Sequence, residues 1–211
     1  MNPVKIQLSP EELLLVQNAD LLLTKNRIIE KVHEMFGSLS LEVQNLFNSY
    51  SFLTPEISVV PPKISKGENY KGLPYLMLDY PRYFGKTDTF AIRTMFWWGH
   101  FFSTTLHLKG KYKDEFVPGL KEQLSDFAEH HFYLCINQDE WRHDFEADNY
   151  IPIRDATEEM VVDNLMIKEF CKISGKIALD QWDEVPVKLV TLYKVIIHQI
   201  TVNFQGDGKG L

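Results

Sequence analysis

The amino-acid sequence predicts an α+β protein with a largely antiparallel central sheet of about 4–6 strands, flanked by helices at both ends. Residues 90–108, FAIRTMFWWGHFFSTTLHL, form two β-type runs around a glycine and predict a central hairpin. Helical apolar patterns lie on either side, in residues 9–50 and 157–204. Strand-like segments follow one another directly, whereas βαβ units would alternate them with helices.

The N-terminal region is predicted to be helical. The motif SPEE, which begins at Ser9, combines a capping box with a proline at the first helical position. Apolar residues then recur at helical spacing as far as Gly37, a predicted helix end, with a break near residues 18–20. A second helix is predicted over residues 39–50. Residues 1–52 are therefore expected to form a helical hairpin that packs on the sheet or serves as a dimer arm.

Residues 57–153 are predicted to form the sheet. Residues 114–118 predict a polar break before a helix at 120–128, and the acidic residues 139–149 predict an irregular loop. Besides the hairpin, the strand candidates are short runs bounded by turn-forming or acidic residues: 57–60, 73–80 ended by Pro81, 132–137, and 150–153 as an edge strand.

Gly99 determines the predicted pairing of the hairpin. As the first residue of a two-residue turn, it would pair Trp98 with Phe101 and Ile92 with His107. Neither face of such a hairpin alternates apolar and polar residues as a solvent-facing sheet does. The two strands are therefore expected to be central and covered on both faces by helices, or by helices and a second subunit.

The C-terminal region is predicted to be helical. One helix begins at Thr157 and extends to about Gly175, with a continuation over residues 177–182. A final helix is predicted from Pro186 to Phe204. The expected organisation is a single α+β domain, residues 1–204, built from the helical hairpin 1–52, the sheet region 57–153 and the C-terminal helices 157–204, followed by a disordered tail at 205–211.

Composition narrows the classes of function. A chain of 211 residues with 45% hydrophobic residues is large enough to build a core. A net charge of −7 argues against nucleic acid and anionic membranes as partners. The N-terminus lacks the zones of a signal peptide, and no run of about 18 apolar residues predicts a membrane span. Cys135 and Cys171 are expected to be buried thiols, so a cytoplasmic location without membrane contact is expected.

Residues 61–86 carry the most promising binding pattern. Five basic residues against two acidic ones give this stretch a local charge of +3 in an acidic chain. Tyrosines interleave with the charges, which favours a phosphate, carboxylate or nucleotide site, while a solvated loop with solubilising lysines is the alternative. The predicted ligand-binding residues are Lys63, Lys66, Lys71, Tyr75, Arg82 and Arg93.

Arg93 is included because it lies within an apolar strand. A buried charge without a partner is too costly, so Arg93 requires an acidic group or a bound anion. Asp79 and Glu146 are the candidate partners. If the strands are adjacent, Arg93 and Arg82 would form a two-sided cationic pocket.

No metal site, cofactor or catalytic residue is predicted. His100 and His107 would face opposite sides of the predicted hairpin, and the adjacent His130 and His131 cannot share a face. The group from Asp139 to Glu146 matches no established metal-binding spacing. Neither a GxSxG motif nor a cysteine signature is present, so whether the protein is an enzyme stays open.

The sequence PPKISKGENYKGLPYLMLDYPRYF, followed by the aromatic hairpin, resembles an uncharacterised bacterial family with no assigned activity. The resemblance covers residues 60–112. It includes no catalytic motif, so it implies no functional residue in this chain.

Two functions are expected from these patterns. The first is a self-associating binding or interaction domain, a homo-oligomer, because apolar residues occupy both hairpin faces and the N-terminal helical pair. The alternative is an enzyme or sensor that binds a small anionic ligand through residues 61–86. Contact with single-stranded nucleic acid is a weaker idea, since the chain is acidic overall.

Overall fold

The computed structural model describes residues 6–48 and 55–202, and its centre is an antiparallel sheet of seven strands. The α+β class and the antiparallel sheet are therefore confirmed, but the predicted count of about 4–6 strands was too low. In space the strands follow the order β1-β2-β3-β4-β7-β5-β6. Their bounds are β1 (Lys63–Tyr70), β2 (Leu73–Phe84), β3 (Thr89–Trp97), β4 (Phe101–Lys109), β5 (Tyr133–Cys135), β6 (Tyr150–Pro152) and β7 (Phe170–Ala178).

The helices confirm three predictions: a helix start at Ser9, a break near residues 18–20 and a final helix near the C-terminus. The Ser9 hydroxyl accepts a hydrogen bond from the backbone N–H of Glu12 at 3.1 Å, and the Ser9 N–H donates to the Glu12 carboxylate at 2.7 Å. Asn18 then separates the first two helices. The helices are α1 (Pro10–Gln17), α2 (Ala19–Asn48), α3 (Pro55–Ser58), α4 (Lys111–Glu122), α5 (Leu124–Glu129), α6 (Glu158–Val161) and α7 (Val185–Thr201). None of these described helices is both long and apolar enough to cross a membrane.

The predicted helical hairpin over residues 1–52 is wrong. Helix α2 continues through Gly37 to Asn48 without a turn. A glycine inside a helix costs only about 1 kcal/mol relative to alanine. A buried apolar stripe crosses this position and more than offsets that cost: Val32, Phe36, Leu39, Val43 and Phe47. Residues 1–5 and 49–54 lie outside the described part of the chain.

The central hairpin exists, but its predicted register is wrong by one residue. Trp97 pairs with Phe101, and Ile92 pairs with Leu106. Three residues therefore form the turn, with Gly99 at a φ of 76°, a conformation that favours glycine. Because side chains alternate between the two faces of a strand, this shift moves every residue of β4 to the face opposite the predicted one.

Helices cover one face of the sheet, which we call the helix face. Phe90, Ile92 and Phe96 of β3 lie in the main core there, with the apolar sides of α2, α4 and α7. The hydroxyl of Thr94 lies 3.1 Å from that of Tyr193 in α7. Most of the large buried side chains of the described chain belong to this layer.

The opposite face is covered by a loop, although helices or a second subunit were expected there. Residues 136–149, which we call the covering loop, connect β5 with β6. Phe145 of this loop packs 5.0 Å from the ring of Phe101 and stacks on Tyr150 at 4.6 Å. The predicted irregular loop over residues 139–149 and the edge strand after it are confirmed. We call this side the loop face.

Residues 61–86 form two paired strands, of which β1 was not predicted. Strand β1 lies at the edge of the sheet and pairs with β2. Strand β2 does not end before Pro81 but continues to Phe84. The pairing of β2 with β3 is irregular between Asp79 and Arg82, which accommodates a proline without an amide hydrogen.

The predicted helix from Thr157 to Gly175 is confirmed at its start, where Thr157 caps α6, but its second half is wrong. Helical structure ends at Ile167, and β7 occupies residues 170–178. Strand β7 pairs with β4 along its whole length and with β5 near its middle. Cys171 and Ile173 face the helices, while Lys172 and Ser174 face the covering loop. This alternation of apolar and polar residues is typical of a strand.

Two further corrections concern the outer segments. Residues 114–118, predicted as a polar break, lie inside α4, and residues 57–58, predicted as β-like, belong to α3. The predicted disordered tail at 205–211, together with Phe204, lies outside the described residues.

Candidate functional site

A cleft opens on the loop face, between strands β1–β3 and the covering loop. Its volume is about 360 Å³. We call it the sheet cleft. It is lined by Lys63, Ser65, Tyr70, Tyr75, Met77, Asp79, Arg93, Trp141 and His143.

Tyr70 holds the covering loop against this cleft. Its hydroxyl accepts hydrogen bonds from the backbone N–H groups of His143, at 2.7 Å, and Asp144, at 3.1 Å. The same hydroxyl donates to the Asp144 carboxylate at 3.1 Å. Burial raises the pKa of Tyr70, so the phenol remains protonated and able to donate. The end of β1 thereby fixes the loop that closes one side of the cleft.

Lys172 of β7 binds the same loop from the sheet. Its buried ammonium group donates to the backbone carbonyls of Glu140, at 3.0 Å, and Arg142, at 2.5 Å. Burial lowers the pKa of Lys172 to about 8, which leaves it mostly protonated at neutral pH. Two long-range attachments, one from β1 and one from β7, therefore position the loop side chains that line the cleft.

Arg93 and Asp79 form the charged floor of the cleft. They lie opposite each other on β3 and β2. The Arg93 Nε atom lies 2.6 Å from Asp79 Oδ1, and Nη2 lies 3.2 Å from Oδ2. The two side chains are only 13% and 8% exposed. Of the two expected acidic partners of Arg93, the structure selects Asp79.

The remaining guanidinium nitrogen of Arg93 faces His143. Its Nη1 atom lies 3.5 Å from His143 Nε2. Burial, together with the positive charges of Lys172 and Arg93, holds the pKa of His143 well below its usual value. The imidazole is therefore neutral at neutral pH and adds no charge to the cleft.

Lys63 supplies the remaining charge. Its exposed side chain lines the cleft and forms no ion pair with any carboxylate in the described part of the chain. Asp79 compensates the charge of Arg93, so the lining carries one net positive charge. Aromatic rings form its walls: Tyr70 and Tyr75 meet edge to face at 6.2 Å, and Trp141 is half-exposed.

The structure brings together three of the six predicted ligand-binding residues: Lys63, Tyr75 and Arg93. Lys66 lies on the helix side of β1, opposite Leu76. Lys71 binds the carboxylates of Glu146 and Asp144 at 2.5 and 3.2 Å. Arg82 donates to the Pro61 carbonyl at 3.1 Å and does not line the cleft.

Sequence reasoning assigned no role at the cleft to Trp141 or His143. Both belong to the acidic segment that was interpreted as a solvated loop. The only local signal was the concentration of an indole and an imidazole in a short charged stretch, which is a weak signal. Trp141 and His143 reach the cleft because Tyr70 binds the covering loop. Tyr70 and His143 lie 73 residues apart along the chain.

An acidic cluster lies in the same loop, outside the cleft. Oxygen atoms of Asp144, Glu146 and Asp148 approach within 4.8 Å of one another. Arg142 binds Asp144 and Asp148, each at 2.7 Å, and Lys71 also binds Asp144. The two cations pair with all three carboxylates, since Lys71 also binds Glu146, so the cluster forms an ion-pair network with one net negative charge.

No protein-family model matches the chain, and neither the curated proteins nor the solved structures contain a significant match. The resemblance of residues 60–112 to an uncharacterised family therefore stays a prediction. The cleft itself combines aromatic walls, a neutral imidazole and one uncompensated ammonium group.

Proposed function

We propose that this protein binds a small monoanionic carboxylate with a planar, aromatic body, and that the sheet cleft is the binding site. The observation that carries the proposal is the combination of one net positive charge with aromatic walls in a cleft of about 360 Å³. Ligand pockets typically join apolar and aromatic walls with a few placed polar groups.

The charge of the cleft favours a carboxylate over a phosphate ester. Only Lys63 is uncompensated, because Asp79 already pairs with Arg93. A carboxylate carries a single negative charge, whereas a phosphate monoester carries about −1.5 to −2 at neutral pH. A doubly charged ligand would bring an unpaired charge towards a partly buried site, which is unfavourable.

The walls favour a planar ligand. Trp141 is 50% exposed and lines the cleft, as does Tyr75, so a planar ligand can contact both rings. Aromatic rings gain about 0.5–1.5 kcal/mol from such contacts beyond the burial of area.

Titration calorimetry tests the proposal with four probes: benzoate, benzamide, acetate and inorganic phosphate. We expect benzoate to bind most tightly. Benzamide has the ring without the charge, acetate has the charge without the ring, and phosphate has excess charge. Each should therefore bind more weakly than benzoate.

Lys63 and Lys66 provide a matched pair of variants, since both are exposed lysines of β1 on opposite faces of the sheet. We expect Lys63→Ala to weaken benzoate binding by about fivefold, as for the loss of one exposed ion pair. Lys66→Ala should bind benzoate like the native protein. Equal effects of the two substitutions, or binding of benzamide as tight as that of benzoate, would contradict the proposal.

A further inference from the structure

A long apolar surface lies at the N-terminal end of the described chain, on α1 and the first turns of α2. No residue from 6 to 31 is buried. We call these residues the N-terminal arm. The arm carries nine large apolar side chains that are 47–73% exposed: Ile6, Leu8, Leu13, Leu14, Leu15, Val16, Leu21, Leu22 and Leu23.

Within the described part of the chain, helix α1 packs none of its residues into a core. It has eight residues, and none of them is buried. Isolated helices shorter than about 12–15 residues are marginal in water, and most helical stability in proteins comes from packing an apolar face. The capping box at Ser9 stabilises the helix end by only about 1 kcal/mol. Helix α1 therefore requires a surface that covers its leucines.

We infer that the N-terminal arm is a dimer interface, covered by the arm of a second copy of this chain. The apolar area of the arm is on the order of 500 Å², if each half-exposed side chain contributes about 40–80 Å². A standard interface buries about 800 Å² per partner, of which about 60% is apolar. The arm thus offers the apolar area that one half of a stable dimer requires.

Charge complementarity favours a second copy with a reciprocal, two-fold arrangement. Glu11 lies at the start of the arm, and Arg27 and Lys31 lie at its far end; in the described residues none of the three forms an ion pair. In the sequence, the leucines at 13–15 and 21–23 lie symmetrically about Asn18. A two-fold contact that places α1 of one copy on the start of α2 of the other brings Glu11 towards the basic end of the partner's arm, where Arg27 lies, and does so twice.

Size-exclusion chromatography with light scattering tests this inference on the full chain. We expect a dimer at micromolar concentration. The double variant Leu14→Asp/Leu22→Asp should be a monomer, because it places charges in the apolar interface. Leu41→Asp is the matched control: Leu41 is 63% exposed on the same α2 helix but lies outside the arm, so this variant should stay dimeric. Thermal unfolding of each variant checks that the rest of the chain is folded.

A charge exchange distinguishes a second copy from any other occupant. Glu11→Lys and Arg27→Glu should each weaken the dimer by about fivefold, and the combined variant should restore it, since the pair is then reversed. A native chain that is monomeric would overturn the inference, as would a dimer that Leu14→Asp/Leu22→Asp leaves intact. Binding of the monomer to phosphatidylcholine vesicles would assign the arm to a lipid surface instead. None of these outcomes depends on ligand binding in the sheet cleft.

Discussion

At the scale of single residues, Arg93 and Asp79 show how a charge can be placed on a sheet without a large gain in stability. The desolvation of two buried charges offsets much of their attraction, so such a pair stabilises a fold little in net terms. What the pair does is fix geometry. Two hydrogen bonds orient the guanidinium, and its third nitrogen then points to His143.

His143 predicts a dependence of stability on pH. Its pKa in the folded protein lies well below the usual value, chiefly because the ring is buried. The unfolded chain titrates this ring near pH 6.5, so below that pH the unfolded state binds more protons than the folded state. The free energy of unfolding should therefore fall as the pH is lowered from about 6.5. His107 has the same sign, because burial lowers its pKa as well.

Urea denaturation at a series of pH values measures this effect. We expect His143→Gln, which retains an acceptor for Arg93, to lose part of the pH dependence between neutral pH and about pH 5. His33 is an exposed histidine on α2, so His33→Gln should keep the native profile. A His143→Gln variant with the native slope would show that the ring is not held neutral in the folded protein.

The sequence predicted the residues of the cleft in part. Lys63, Tyr75 and Arg93 were recognised because an unusual charge pattern and a charge within an apolar strand are visible locally. Lys66 was grouped with them but lies on the opposite face of the sheet, and that face could not be known before β1 was recognised as a strand. Trp141 enters the cleft through a contact between distant segments, which local sequence patterns do not encode.

At the scale of elements, the position of Gly37 inside helix α2 leads to a prediction about the free energy of unfolding. It lies in the interior of α2, its φ is not positive, and a Cβ atom there would meet nothing within 4 Å. Gly37→Ala should therefore raise the free energy of unfolding by about 0.5–1 kcal/mol. If residue 37 ended a helix in the left-handed conformation, the same change would destabilise the protein.

Gly99 is the control for this substitution, since a Cβ atom there also meets open space. Its φ of 76° disfavours a side chain, so Gly99→Ala should destabilise by about 1–2 kcal/mol. Urea denaturation of both variants gives the two signs. Stabilisation by both, or destabilisation by both, would contradict the assigned backbone conformations.

Elements with strong local signals were predicted correctly from sequence. The capping box gave the start of α1, and the long apolar repeat gave α7, because capping and helical periodicity depend on neighbouring residues alone. Strand β7 was missed for a physical reason. The alternation of apolar and polar residues in β7 identifies a strand only when its partner β4 is known. From the sequence alone, its polar residues resemble the polar side of a helix.

The hairpin shows a second limit of predicting structure from local sequence. Its location followed from the β-branched and aromatic residues on either side of Gly99. Its register depends on whether the turn has two or three residues, and both turns use glycine. That single residue decides which side chains of β4 face the helices, so a small local ambiguity changed a whole face of the predicted sheet.

At the scale of the whole molecule, the sheet separates two different layers. The helix face holds the main core, whereas the loop face holds ion pairs, buried lysines and the cleft. The sequence predicted that both faces are covered, because neither face of the hairpin shows the alternation of apolar and polar residues that is typical of a solvent-facing sheet. It did not predict that an irregular loop covers one of them, since the loop is held by Tyr70 and Lys172 through backbone groups.

Two tryptophans report separately on the two faces of the sheet. Trp141 lines the sheet cleft, while Trp182 packs on Phe96 and Phe102 on the helix face. The chain has four tryptophans, so its indole N–H signals in a ¹H–¹⁵N spectrum can be assigned by single substitutions such as Trp141→Phe. Titration with benzoate should shift the Trp141 signal saturably and leave the Trp182 signal in place. A Trp141 signal that does not move, or a Trp182 signal that moves equally, would contradict a ligand site on the loop face.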